Sequence, residues 1–175
     1  EFSKYIKANY LTLGSFTSNS FNINKKNFKY KYLLIGQNTE SNLKKKRDFD
    51  HTLGDYLAPD HEFYKIISKF ILREKNDILN ILGKSIDDND NAIEFYNNLL
   101  GTNKFHYINR KGYSYEILDK SEIIIGTTST LLYEGLSRGK RVGIFSHKSK
   151  NSKFRNTKFG WPATFENTGF FWTNQ

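Results

Sequence analysis

Small hydroxyl residues fill a turn between a predicted strand and a predicted helix in the last third of the chain. An apolar, β-branched run at 122–125 leads into Gly126, and apolar residues at helical spacing cover 131–137. The turn itself contains Thr127, Thr128, Ser129 and Thr130. A helix start offers unpaired N–H groups and the positive end of the helix dipole, and the hydroxyls add further donors. The chemistry expected at this turn is therefore the binding of a phosphate group.

Glu134 follows Thr130 by one helical turn, so the two side chains share one face of the predicted helix. This separation is too long for a capping box, which needs an acid three residues after the capping residue. A simpler interpretation stays open, in which the hydroxyl residues only cap the helix and Glu134 is a surface residue. The spacing alone does not decide between a ligand site and a capped helix.

Strands and helices are predicted to alternate along the chain around this turn. Apolar β-branched or aromatic runs predict strands at 30–35, 77–82, 105–109, 122–125 and 141–145. Apolar residues at helical spacing predict helices at 59–75, 92–100, 113–119 and 131–137, with Pro59 opening the first of them. This alternation indicates an α/β fold, with a Rossmann-like parallel sheet flanked by helices.

Four of the predicted strands are followed by loops that lie at the same edge of such a sheet, because right-handed crossovers align the strand ends. The loops are Gly36-Gln37, Gly83-Lys84-Ser85, Arg110-Lys111-Gly112 and Gly126–Thr130. Three of the four carry cations or hydroxyls suited to phosphate. Their convergence at one edge favours a nucleotide-type site.

Composition excludes several other kinds of chemistry. The 175 residues include no Cys, which excludes disulfides, thiolate metal sites and a Cys nucleophile. The sequence has neither a G-x-G-x-x-G fingerprint nor a P-loop, and its four His show no metal-binding spacing. No apolar run is long enough to span a membrane. We therefore expect no metal and no other resident cofactor.

The formal net charge is +9, and the basic residues are clustered. Segment 138–158 contains eight Lys or Arg and no acid, and residues 44–47 form a second cluster. Such clusters attract polyanions, phosphorylated ligands or anionic membrane surfaces, although a solvated basic face is the simpler interpretation. The sequence shows no nucleic-acid motif, so we expect no nucleic-acid partner. A basic module that binds nucleic acid or membranes is kept as an alternative from another functional class.

Aromatic residues are concentrated at the end of the chain. Segments 159–162 and 169–174 contain both Trp residues, each close to Gly. Rings in such a setting can stack on a sugar or a base. The alternative is a C-terminal lid that buries its aromatic side chains against the sheet or against a further domain.

On these residues, the chain resembles the C-terminal half of GT-B-type glycosyltransferases of bacterial surface polysaccharide synthesis. The resemblance covers roughly Tyr30–Asn174 and is strongest in SEIIIGTTSTLLYEGLSRGKRVGIF, followed by FGWP and GFFWTN. A looser form of the same pattern occurs in transferases that use CMP-activated sugars and in teichoic-acid polymerases that use CDP-activated polyols. The resemblance implies one Rossmann-like half of a GT-B architecture that binds the nucleotide-activated donor.

The resemblance also implies roles for individual residues. Thr128, Ser129 and Thr130 would meet the donor phosphate, and Glu134 would accept hydrogen bonds from the ribose or the donor sugar. Lys84 and Arg110 are added to this set from their predicted positions at strand ends, where a cation would neutralise the leaving nucleotide. The full predicted site consists of Gly36, Gln37, Lys84, Arg110, Gly126, Thr127, Thr128, Ser129, Thr130 and Glu134. Several CMP-sugar families carry a His-Pro pair that this sequence lacks, which leaves the donor nucleotide open.

The resemblance sets the expected domain organisation and partners. Residues 1–28 are interpreted as a connector from a missing N-terminal domain, 29–146 as the nucleotide-sugar-binding domain, and 147–175 as a basic and aromatic C-terminal segment. The expected partners are a nucleotide-sugar donor, a glycan or lipid-linked acceptor, the N-terminal domain and an anionic membrane surface. The expected location is the cytoplasm, including the inner face of the membrane. The leading alternative is a CDP-polyol or glycerol-phosphate transferase domain.

Overall fold

Strands and helices alternate along most of the chain that the structure describes. The computed structural model describes residues 28–36, 46–47, 51–83, 89–109, 114–127, 129–145 and 172–173. The strands are β1 (Tyr30–Ile35), β2 (Lys46–Arg47), β3 (His51–Thr52), β4 (Leu79–Leu82), β5 (Phe105–Ile108), β6 (Ser121–Gly126), β7 (Arg141–Phe145) and β8 (Trp172–Thr173). The helices are α1 (Leu53–Glu74), α2 (Asn89–Leu100), α3 (Tyr115–Asp119) and α4 (Thr130–Ser137).

The main sheet is parallel throughout its described strands. The spatial order of its strands is β5-β4-β1-β6-β7-β8. Followed along the chain, the sheet begins at its centre with β1 and continues through β4 to β5. The chain then returns to the other side of β1 and adds β6, β7 and β8. This is the strand order of a doubly wound dinucleotide-binding fold. The predicted α/β fold, with a Rossmann-like parallel sheet flanked by helices, is confirmed.

The strands are apolar on both faces because helices cover both faces of the sheet. On one face, here called the α1 side, Leu34 and Ile125 pack against α1 and α2. On the other face, the α4 side, Leu33 and Ile124 pack against α3 and α4. Leu33 and Leu34 face opposite sides of the sheet and are both fully buried. Consecutive residues of the central strand are therefore apolar, without the alternation typical of a half-exposed strand.

The structure corrects the predicted start of the first helix. Pro59 does not open it, because α1 begins at Leu53 and Pro59 lies inside the helix. Proline removes one intrahelical hydrogen bond there, and a helix of 22 residues keeps enough others to continue. Directly before α1, a short antiparallel ladder pairs Lys46–Arg47 with His51–Thr52.

Within the ranges that the structure describes, no helix combines the length and the apolar character needed to cross a membrane.

Candidate functional site

The carboxyl ends of β1 and β6 lie side by side at the centre of the sheet. The two strands pair through Leu34 and Ile125, so the next positions along them are Ile35 and Gly126. The chain leaves β1 towards α1 on one face and leaves β6 towards α4 on the other. Because the two connections diverge, they leave a crevice between them, and ligands of open α/β sheets bind at this switch point. The predicted hydroxyl-rich turn therefore lies where the topology itself favours a ligand.

Ser129 is the N-cap residue of α4. Its backbone is extended (φ −84°, ψ 139°), and its Oγ accepts a hydrogen bond of 3.3 Å from the Leu131 amide. The capping role considered from the sequence is thus confirmed for this residue. A hydroxyl that accepts one hydrogen bond can still donate its own proton, so capping leaves Ser129 able to donate to a phosphate oxygen. Thr130, the first residue of α4, is exposed.

Two glycines allow α4 to lie close to the strands. A Cβ on Gly126 would come within 3.1 Å of the Leu132 side chain, and one on Gly135 would come within 3.0 Å of Ile124. Leu132 is fully buried at this contact. The short distance fixes the start of α4 directly beside the end of β6, which aims the helix N-terminus at the switch point.

Thr127 carries a buried hydroxyl that finds no hydrogen-bond partner among the residues that the structure describes. The residue is 1% exposed, and its Oγ1 has no partner. A buried polar group without a partner costs about 1–3 kcal/mol, so such groups are uncommon and need a reason. Its position directly after β6, at the switch point, indicates a group that a ligand or a water would complete.

Gly36 follows β1 on the opposite side of the crevice, and packing accounts for its identity. Its amide donates a hydrogen bond of 2.9 Å to the Leu82 carbonyl. A Cβ there would lie 2.3 Å from the Tyr96 hydroxyl, which is too close for any side chain. A Cβ on Gly83, the residue that follows β4, would likewise lie too close to the Tyr107 side chain. Gly36 therefore helps to shape the edge of the sheet, and its contact with a ligand stays a prediction.

Glu134 lies one turn into α4 and is partly buried. The pKa of Arg138 is raised, chiefly by its hydrogen bond to Asp119, and Glu134 is among the nearby charges that raise it further. Glu134 therefore lies close enough to Arg138 to interact with its charge. Its predicted role as an acceptor for ligand hydroxyls stays a prediction.

Four predicted site residues lie outside the residues that the structure describes: Gln37, Lys84, Arg110 and Thr128. Their neighbours Gly36, Gly83, Asn109 and Thr127 all follow strands of the parallel sheet. The loops that carry the predicted cations therefore begin at the same edge as the hydroxyl-rich turn. The positions of the cations themselves stay predictions.

Sequence reasoning missed one buried carboxylate near this edge. Asp60 is 1% exposed and lies on α1, in the stripe of buried residues that contains Phe63, Tyr64 and Ile71. An acid at a core-facing position of an amphipathic helix was the signal that could have identified it. The interpretation of Pro59 as the helix start hid this pattern, because it placed Asp60 in the first turn, where acids are common.

Two members of the basic segment at 138–158 belong to the fold and not to a surface. Arg138 is 3% exposed and Lys140 is 8% exposed, and both interact with Asp119. They lie at the amino ends of the strands, on the opposite edge from the switch point. Arg141 is exposed and pairs with Glu122 at 3.3 Å. Segment 146–158 lies outside the described residues.

In the described part of the chain, no three His, Asp or Glu side chains lie close enough together to hold a metal ion. The features at the switch point that are suited to phosphate are a helix N-terminus and hydroxyl groups.

A family model described as "putative O-antigen biosynthesis protein" matches residues 1–175. Searches of curated proteins and of solved structures found no match to the chain.

Proposed function

The chain belongs to this family of O-antigen biosynthesis proteins, with a role in making surface polysaccharide, and we propose that it binds the nucleotide-activated sugar used by a glycosyltransferase. One observation carries the proposal: the hydroxyl-rich turn after β6 lies at the switch point of a doubly wound sheet, beside the end of β1. The unpartnered Thr127 hydroxyl supports it, since a ligand group would complete that residue.

The proposed binding mode follows from the residues at the turn. The α4 N-terminus and the hydroxyls of Ser129 and Thr130 hold the donor phosphates, because amides and the helix dipole favour negative charge there. Glu134 accepts hydrogen bonds from hydroxyls of the donor. Lys84 and Arg110 stabilise the negative charge that develops on the leaving nucleotide. In this proposal the protein supplies the compensating charge and no resident metal is needed.

A complete transferase also needs a site for the acceptor. We propose that a second, N-terminal domain supplies it, as in the two-domain GT-B architecture, and that the acceptor is a glycan or a lipid-linked glycan. The present chain then binds the donor, and transfer requires both domains. Catalysis by the 175 residues alone would contradict this division of labour.

Binding of CMP, CDP, UDP, GDP and ADP, measured by calorimetry or ligand-observed NMR, tests the proposed donor site. We expect saturable binding of one nucleotide, which also distinguishes a sugar transferase from a transferase of CDP-activated polyols. Ser129→Asp is the sharpest control, because Asp is as good a helix cap as Ser but places a negative charge where the phosphate binds. Loss of binding in a folded Ser129→Asp variant supports the site, whereas unchanged binding contradicts it. Glu134→Ala tests the hydroxyl acceptor.

We further propose that the basic residues between 148 and 158 bind anionic lipid at the inner face of the membrane. A lipid-linked acceptor would place the enzyme there, and anionic lipid attracts clustered Lys and Arg. Co-sedimentation with vesicles of phosphatidylglycerol, compared with phosphatidylcholine, tests this at low salt. Equal recovery with both vesicles would contradict it.

A further inference from the structure

Asp60 is a buried carboxylate that the proposed phosphate site does not use. Phe63 and Tyr64 lie on the same face of α1, one turn further along. Phe63 stacks on Phe145, the last residue of β7, with 4.4 Å between ring centroids. The Tyr64 hydroxyl lies 3.5 Å from the carbonyl oxygen of Ile35, the last residue of β1. These contacts place this part of α1 over the carboxyl ends of β1 and β7, with β6 between them.

The direction of α1 places Asp60 at the edge where ligands bind. The helix leaves the carboxyl end of β1 and must return to the amino end of β4, so residues near its start lie furthest towards the carboxyl edge. Asp60 precedes Phe63 and Tyr64 and therefore lies beyond them, at the switch point. It takes part in a polar interaction within the protein, and a carboxylate offers about four acceptor positions, so further hydrogen bonds are available to it.

Thr127 lies on the same side of the sheet. A side chain on Gly126 would face Leu132 on the α4 side, whereas Ile125 belongs to the core on the α1 side. Successive residues of a strand alternate between faces, and Thr127 follows the last residue of β6, so we place it towards the α1 side by continuing that alternation one residue past the strand. The unpartnered Thr127 hydroxyl and the buried Asp60 carboxylate therefore lie on the same side of the end of β6.

The two sides of the switch point thus differ in chemistry. The α4 side offers a helix N-terminus and hydroxyl donors, which attract phosphate. The α1 side offers a buried carboxyl group, which can accept hydrogen bonds from hydroxyl groups. We infer that Asp60 and Thr127 form a subsite for the hydroxyl groups of a sugar whose phosphate lies at the start of α4. This inference rests on the proposed function and orients its ligand, with the phosphate towards α4 and the sugar towards α1.

Three kinds of probe test the subsite by calorimetry on the full chain. Inorganic pyrophosphate carries phosphate without hydroxyls, the nucleoside diphosphates CDP and UDP add ribose, and glucose 1-phosphate adds a hexose without a nucleoside. We expect Asp60→Asn to weaken the binding of a hydroxyl-bearing probe at least tenfold and to leave pyrophosphate within twofold or bound more tightly. If Asp60→Asn weakens the binding of CDP and UDP, ribose occupies the subsite. If it weakens the binding of glucose 1-phosphate, the transferred sugar occupies the subsite.

Controls separate this inference from a role of Asp60 in folding. Asp77→Asn makes the same charge change at the amino edge, beside Lys31, and should leave every probe unaffected. Thr127→Val removes only the hydroxyl and should show the same selectivity as Asp60→Asn; it provides the test if Asp60→Asn does not fold. Equal weakening of all probes, or no weakening of any, would overturn the subsite. Failure of the wild-type chain to bind even pyrophosphate would instead overturn the phosphate site.

Discussion

Arg138 forms a two-point ion pair with Asp119, with Nε 2.8 Å from Oδ1 and Nη2 2.5 Å from Oδ2. Both side chains are almost fully buried. The Tyr115 ring lies 5.2 Å from the guanidinium, and Lys140 Nζ donates to the Asp119 carbonyl oxygen. The pair joins the end of α3 to the end of α4, and it holds the second half of the fold together at the edge opposite the site.

Asp119→Ala should destabilise the fold by about 3–5 kcal/mol, because it leaves the Arg138 guanidinium buried without its partner. Urea unfolding followed by circular dichroism measures the change. The exposed pair of Glu122 with Arg141 is the matched control, and Glu122→Ala should cost less than about 1 kcal/mol. Asp119→Leu combined with Arg138→Met should be less destabilising than Asp119→Ala alone. A double variant that is worse than the single change would contradict this explanation.

Ser129→Ala should destabilise the protein by about 1 kcal/mol, because the Leu131 amide loses the oxygen that caps α4. Ser129→Asp should keep wild-type stability, since Asp caps a helix equally well and its charge suits the helix dipole. Thermal or urea unfolding of both variants measures the cap separately from ligand binding. Equal stability of wild type and Ser129→Ala would mean that the observed hydrogen bond contributes little.

Thr127→Val should raise the free energy of unfolding by about 1 kcal/mol, because it removes a buried hydroxyl that has no partner. The same change should weaken binding at the switch point, so stability and binding move in opposite directions. Urea unfolding without ligand, together with the pyrophosphate and nucleotide titrations, measures both. A loss of stability would show that the hydroxyl is satisfied in solution, for example by water.

Gly36→Ala should destabilise the fold, because the added methyl group would lie 2.3 Å from the Tyr96 hydroxyl. Overpacking of this kind costs about 1–3 kcal/mol. Tyr96→Phe removes the crowding atom, so the double variant should recover part of the loss, and a double-mutant cycle measures the coupling. Gly101→Ala is an instructive control, since nothing lies within 4 Å of its Cβ position, yet its φ of 64° strains any other residue. The stability lost in Gly101→Ala should not be recovered when Tyr96→Phe is added.

The fold was predictable because the strands are short apolar runs that end at Gly or polar residues. Tyr30–Ile35 and Arg141–Phe145 match their predicted strands, and the others differ only at their ends. The start of α1 was not predictable from Pro59, since proline is tolerated inside a long helix that tertiary packing holds. The β2–β3 ladder involves only two residues on each strand, which is too short to produce a periodic pattern.

In the candidate site, the residues of the hydroxyl-rich turn could be predicted from the sequence, whereas Asp60 could not. The hydroxyl-rich turn follows its strand directly in sequence, so Ser129 and Thr130 could be named as candidates from the spacing, and their contact with a ligand stays a prediction. Asp60 comes to the same edge from a distant helix, and its approach depends on the packing of Phe63 and Tyr64 against strand ends far along the chain. The basic character of segment 138–158 was misleading for Arg138 and Lys140, because their partner Asp119 precedes the segment and meets them only in the folded protein.

The position of β1 at the centre of the sheet also determines when the ligand site can form. Leu34 pairs on one side with Ile81 of β4 and on the other with Ile125 of β6. The second edge of β1 therefore stays unpaired until β6 has been synthesised. Long-range parallel pairings of this kind form slowly, and an uncovered apolar edge invites association between chains. During synthesis, an emerging first half of the domain would therefore leave one edge of β1 unpaired until β6 is complete, and would expose the Leu33 face until α4 follows. The crevice beside β1 and the closed core on the α4 side thus both require the segment from β6 to α4.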